Sequence, residues 1–191
     1  MIRLQKTLVK PFLKLIVALG LLSTPLSASA AFNIYLLLDN IKGEVTDVEF
    51  RDQINVLSWS EGGSNLSTIG SSGGGAGKVN FEALTIVKRI DSSSTELRLR
   101  MAQGVDIQSA VLSVVRNSGP NSKSNTFFKI EMTDVLVTSV SAGGSAGSDE
   151  LTETITLVFG TIKWTYTPQL PNGSAGSDIE TGWDLATNKK L

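Results

Sequence analysis

Phe127-Phe128-Lys129-Ile130-Glu131-Met132-Thr133-Asp134-Val135-Leu136-Val137, followed after a Gly/Ser-rich stretch by Ile155-Thr156-Leu157-Val158-Phe159-Gly160-Thr161-Ile162-Lys163-Trp164-Thr165-Tyr166, decides the architecture. The first arm is apolar at Phe128, Ile130 and Met132, skips a beat at Thr133-Asp134, and resumes at Val135 and Val137. The second is apolar at Ile155, Leu157 and Phe159, skips at Gly160-Thr161, and resumes at Ile162, Trp164 and Tyr166. Side chains in a strand alternate with a period of two, so a slip in parity sends the inward set outward unless the strand absorbs it. The two slips lie almost symmetrically about Gly147, and a hairpin sets them side by side as matched bulges. Two long strands that bend together suit an antiparallel two-sheet β-barrel, in which strands turn the corner between packed sheets.

The chain opens with a different grammar. Arg3, Lys6, Lys10 and Lys14 flank or precede an apolar run from Leu15 to Leu22, Ser23-Thr24-Pro25 breaks it, and Ala28-Ser29-Ala30 supplies small residues. This is the order of a secretory signal peptide over residues 1–30, with cleavage near Ala30. The run is too short to span a bilayer and no second one follows, so no membrane span is expected in residues 31–191. Export then places the product in the periplasm or outside the cell. The leader holds four of the 17 basic residues and none of the 18 acidic ones, leaving 13 against 18, a net charge of about −5. An acidic surface argues against nucleic acid as a partner.

Residues 31–191 read as one domain on length. Phe32 to Asp39 is a strand with Ile34, Leu36 and Leu38 on one face and Tyr35 and Leu37 on the other, so both sides are apolar and both need cover. A neighbouring subunit would supply the second, which makes Tyr35 and Leu37 the candidate subunit interface. A turn at 40–44 and a polar loop to Phe50 lead into a strand from Gln53 to Ser60, with Ile54, Val56 and Ser58 opposite Gln53, Asn55, Leu57 and Trp59. Val79 to Ile90 and Ala110 to Val115 complete the strand set, the latter closed by the turn signal Asn117-Ser118-Gly119-Pro120-Asn121. One flanking helix is predicted near 94–103: Ser93-Ser94-Thr95-Glu96 matches a capping box, Glu96 and Arg100 are four apart, Leu97, Met101 and Ala102 form a narrow stripe with Arg98 and Arg100 facing water, and Gly104 is a natural stop.

Flexible Gly/Ser loops are predicted at 61–78, 141–150 and 171–178. The Gly77-Lys78 ending of the first invites a phosphate-loop reading, but Ser72 stands where that motif needs glycine and Val79 where it needs Ser or Thr. The hexapeptide Gly-Ser-Ala-Gly-Ser-Asp recurs at Gly144–Asp149 and Gly173–Asp178 without the spacing or stacking of a calcium repeat. The chain has no histidine and no cysteine, which removes the usual nucleophile–base pairs, the commonest metal ligands and any disulfide. No catalytic, cofactor-binding or metal residues are expected.

Tyr35-Leu36-Leu37-Leu38-Asp39-Asn40-Ile41-Lys42-Gly43-Glu44 resembles the first strand and turn of the haemolysin-coregulated proteins (Hcp), the tube proteins of bacterial type VI secretion. Val56-Leu57-Ser58-Trp59-Ser60 is similar to their second strand, and Val87-Lys88-Arg89-Ile90-Asp91 with the helix ending at Gly104 to the next section. Ala110–Val114, Asp134–Ser139, Thr152–Leu157 and the tail Gly182-Trp183-Asp184 with Asn188-Lys189-Lys190 follow in the same order. The resemblance implies a two-sheet barrel with one flanking helix and a homohexameric ring that can stack into a tube. It also implies secretion-apparatus components or small effector proteins as partners. The export signal motivates a second reading, an exported Hcp-like binding module without tube function.

Overall fold

Six antiparallel strands close on themselves because one of them is long enough to serve both sides of the barrel. The structure, a computed structural model, describes residues 32–65, 78–116, 125–147 and 149–191. The leader read over 1–30, most of the 61–78 loop and the turn at 117–121 lie outside them. The elements are β1 (Phe32–Leu38), β2 (Ile54–Ser60), β3 (Gly63–Asn65), β4 (Val79–Phe81), β5 (Leu84–Arg89), α1 (Ser93–Gln103), β6 (Ile107–Arg116), β7 (Asn125–Gly143), β8 (Thr152–Val158), β9 (Thr161–Tyr166), β10 (Ile179–Asp184) and β11 (Lys189–Lys190). The order β7-β6-β1-β2-β5-β8 returns to β7 through a second pairing, and β9, β10 and β11 extend the sheet from β7. This is the antiparallel barrel with one helix that the sequence predicts.

The corner in β7 carries the closure. Residues Phe128 to Thr133 pair with β9, and Leu136 to Gly143 pair with β8. Thr133 faces Thr161 and Leu136 faces Val158, so two residues on each side span the bend and the register survives it. The two parity slips do face each other. Asp134 takes a left-handed φ of 52°, Gly160 donates its N–H to the Thr133 carbonyl at 2.9 Å, and a Cβ on Gly160 would come within 3.0 Å of the Asp134 side chain. Glycine is what lets the second strand pass that close. One further shift, at Thr138, was not visible in the pattern.

Inside, Leu36, Ile54, Leu84, Ile86, Leu112, Ile130, Ile155, Leu157 and Ile162 are fully buried, as their alternation requires. Several expectations need correction. A bulge at Leu57 between Val56 and Ser58 turns Trp59 onto the core side, where it stacks on Phe128 with ring centroids 5.8 Å apart, rather than beside Asn55 and Leu57. Val79–Ile90 is two strands, broken at Glu82-Ala83. The tail, Gly182-Trp183-Asp184 with Asn188-Lys189-Lys190, contributes strand β10 with β11 on its edge.

Two insertions cover opposite ends of the barrel. Between the end of β2 and the start of β5, the β3–β4 hairpin lays Phe81 against Phe159 and Trp164, and Trp164 Nε1 donates to Glu61 Oε1 at 3.3 Å. Between the end of β5 and the start of β6, α1 inserts Leu97 into the core. Its cap lies further back than the Ser93–Glu96 box. Asp91 Oδ1 accepts from the Ser93 amide at 2.9 Å, and Ser94 Oγ accepts from the Asp91 amide at 3.0 Å. Glu96 does pair with Arg100 at 2.9 Å, and Gly104 ends the helix at φ 64°.

Beneath the helix, Lys88 and Glu153 occupy inward positions of β5 and β8 directly across the ladder, at 0% and 1% exposure. Lys88 Nζ reaches Glu153 Oε1 at 2.9 Å, Asp91 Oδ1 at 2.6 Å and the Arg89 carbonyl at 2.9 Å. Ser94 Oγ donates to Glu153 Oε1 at 2.6 Å, and Arg98, instead of facing only water, lies 2.7 Å from Glu153 Oε2. Burial pushes the Glu153 carboxyl up, but hydrogen bonds from Ser94 and Lys88 and the charges of Lys88 and Arg98 outweigh it and hold it below its ordinary range. Removing one member of such a group leaves a buried charge uncompensated. Lys88→Met is expected to cost about 3–5 kcal/mol in denaturant unfolding, and Lys88→Met with Glu153→Leu to recover most of it.

Candidate functional site

The composition leaves no nucleophile–base pair of the usual kind, and among the described residues no group of His, Cys, Asp or Glu is placed to hold a metal ion. The outward residues of β1, β6, β7, β9 and β10 form one face whose rows follow the strand registers. Leu37, Val111, Glu131, Lys163 and Gly182 make one row. Tyr35, Ser113, Lys129, Thr165 and Glu180 make the next.

Charges of opposite sign alternate across this face. Lys129 lies 3.2 Å from Glu131, and Lys163 lies 3.7 Å from Glu131 and 3.1 Å from Glu180. Thr165 Oγ1 donates to Glu180 Oε1 at 3.2 Å, and the Thr133 and Thr161 hydroxyls meet at 2.8 Å. The hydrogen bond between them raises the Lys163 ammonium and lowers the Glu180 carboxyl, so both stay charged over a wider range. Solvent-exposed pairs add little stability. Their effect is to satisfy each other and leave the face polar.

The two residues singled out from the first strand part company. Leu37 remains 46% exposed at the apolar end of its row, beside Val111. Tyr35 is only 8% exposed, because residues of the connection to β2 fold over it. Phe50 stacks on its ring at 4.5 Å between centroids, and Val45 and Val115 complete the cluster. Burial raises the Tyr35 hydroxyl above its ordinary value, and Asn33 Nδ2 donates to it at 3.0 Å. The connection is an arm, not a loose loop. Gly43 donates to the Asp52 carbonyl at 2.7 Å, Asp52 back to Val45 at 2.9 Å, and Lys42 Nζ lies 3.1 Å from Asp52. A Cβ on Gly43 would collide with the Gln53 carbonyl. Val48 stands at the arm's outer end at 85% exposure. An open cavity of about 610 Å³ separates the arm from the ends of β2 and β5, lined by Tyr35, Asp47, Asn55 and Arg89 among others. Phe50, the one aromatic in an otherwise polar stretch, was the sequence signal for this cover.

A closed antiparallel barrel with one charged outer face, a projecting arm and a single flanking helix defines the class of scaffold. Comparison with known proteins gives the family. The model of the family described as type VI secretion system effector, Hcp, matches residues 35–166, and the chain belongs to that family. It is 36% identical over 160 residues to protein hcp1 of Pseudomonas aeruginosa, covering 83% of this chain and 98% of that one. Among solved structures, a type six secretion system protein superposes with a TM-score of 0.77 at 33% identity, over 84% of this chain and all of the other. Hcp1 from Salmonella typhimurium gives 0.71 at 31%, over 84% of this chain and 99% of its own. The chain is a type VI secretion tube or effector protein of the Hcp type.

Phe50→Ala is expected to uncover Tyr35 and to cost about 1.5–3 kcal/mol, the worth of a buried aromatic side chain. Ultraviolet titration should then find the tyrosine hydroxyl ionising closer to its ordinary value than in the parent.

Proposed function

We propose that the chain is a self-assembling tube subunit, six copies joining into a ring and rings stacking, with small effector proteins as cargo and other secretion-apparatus components as partners. The observation that carries this is the division of the surface. The barrel satisfies its own core and closes its own sheet, yet Leu37 and Val48 stay exposed on a polar face and on a projecting arm. A ring needs two different patches on each copy, so that each subunit offers one and receives the other. Leu37 with Val111 supplies an apolar spot for one of them. Tyr35 acts behind it, holding the arm through Phe50 rather than touching a neighbour itself.

The leader adds a location. Residues Met1 to Ala30 direct export, and residues 31–191 act as a single domain in the periplasm or outside the cell. That leader also favours a second reading, in which an exported Hcp-like barrel binds a partner as a monomer through its loops. Electron microscopy of the purified protein separates the two: six-membered rings with a central hole are expected, and hole-free monodisperse particles at high concentration would exclude them. Leu37→Asp is expected to abolish rings while leaving thermal unfolding within about 0.5 kcal/mol of the parent, as for an exposed position. Intact rings in that variant would move the contact elsewhere. Deleting Met1 to Ala30 should retain the protein in the cytoplasm, and unchanged release would rule out the leader as the export signal.

A further inference from the structure

One flank of β7 has no strand beside it. Residues Leu136 to Gly143 pair with β8 along one edge. Along the other edge, β6 begins at Ile107 opposite Val135, and no further strand joins among the described residues. The chain just before β6 is α1, and α1 packs chiefly against β7. A helix in that place shields main-chain donors and acceptors that would otherwise template a new strand. The strand beneath has no protection of its own. From Val135 to Gly147 there is no charged residue and no proline, the two devices that usually blunt an exposed edge.

The helix is held in an unusual way. It buries only Ser93, Ser94 and Leu97, and leaves Leu99 and Met101 exposed. Its remaining hold is polar: Arg98 lies on Glu153 Oε2 from the helix and Lys88 and Ser94 on Oε1, while at the N-cap the Ser92 amide donates to Glu44 Oε1 at 2.9 Å and its hydroxyl to the Lys42 carbonyl at 3.4 Å. Asp91 joins through Lys88, and Ala142, which faces Glu153 from β7, brings no charge. Gly104 at φ 64° forms the exit from the helix. Strands β5 and β6 on either side are each paired on both edges, with β2 and β8 and with β1 and β7, so the ladders do not depend on α1.

We propose that α1 is a detachable cover over the strand edge Leu136–Gly143, latched by Glu153 to Arg98 and Lys88, and that its release lets this edge pair with the same edge of a second copy. An uncharged, proline-free edge suits pairing with itself, since no register sets like charges opposite each other. Acid is the trigger the latch is built for. The Glu153 carboxyl titrates below its ordinary range in the folded protein. The latch is therefore at full strength above that range and is lost as pH falls through the lowered value. This pairing is independent of the ring contact at Leu37.

Hydrogen exchange of the purified protein, with protection corrected for intrinsic rates, tests the cover. Between about pH 7 and about pH 3, protection of the α1 amides is expected to fall severalfold while that of β6 holds. Glu153→Gln and Arg98→Gln should each produce the same loss at neutral pH. If Glu153→Gln does not fold, Arg98→Gln, changed at the half-exposed end of the group, decides. Simultaneous loss of protection in α1 and β6 would overturn the cover. Sedimentation tests the edge: the released variants should form species larger than the parent's at neutral pH, and adding Ser141→Lys should abolish that growth without restoring α1 protection. Release without growth, or growth that survives Ser141→Lys, would overturn the pairing.

Discussion

Closing a six-stranded barrel obliges some strand to belong to both of its sheets, and here β7 meets that obligation. Asp134 bends it, and Gly160 lets its partner bend at the same rung, so hydrogen bonding continues through the corner. Everything else is arranged around this bend. Because β8 and β9 lie on the same edge of β7, the first closes the barrel and the second starts the β9–β11 extension. The extension widens the outer face on which Lys129, Glu131, Lys163 and Glu180 alternate. A bend at one rung thus creates both an enclosed core and an open surface.

The fold was legible where alternation is regular. Ile130 and Met132, then Val135 and Val137, gave the inward set and its slip together, and Gly104 marked the helix end. Legibility failed wherever a local event reset the count. Trp59 was placed on the wrong face because a bulge at Leu57 leaves no mark in a stretch of mixed polarity. The inward Lys88 and Glu153 were invisible because charge at an inward position reads as a surface residue until its partner across the ladder is known. β10 was missed since Glu180, Gly182 and Asp184 break any apolar rhythm, and its strand character comes from pairing with β9.

The candidate surface was half legible. Leu37 on a strand apolar on both faces pointed outward, and it is outward. Tyr35 shared the same parity, and parity cannot report that Phe50, fifteen positions on, folds back over it. The family was legible in the ordered set of strand segments from Tyr35 to Tyr166, the stretch that the family model matches.

The barrel's two ends are stoppered by different physics. One is closed by aromatic rings, Phe81 on Phe159 and Trp164, and the other by ions, Lys88 and Glu153 under the helix. Apolar contact weakens on cooling, whereas the desolvation cost of buried ions shrinks on heating. Cooling therefore weakens the contact at the first end, and warming lowers the cost of keeping the second buried, so the two covers respond to temperature in opposite senses.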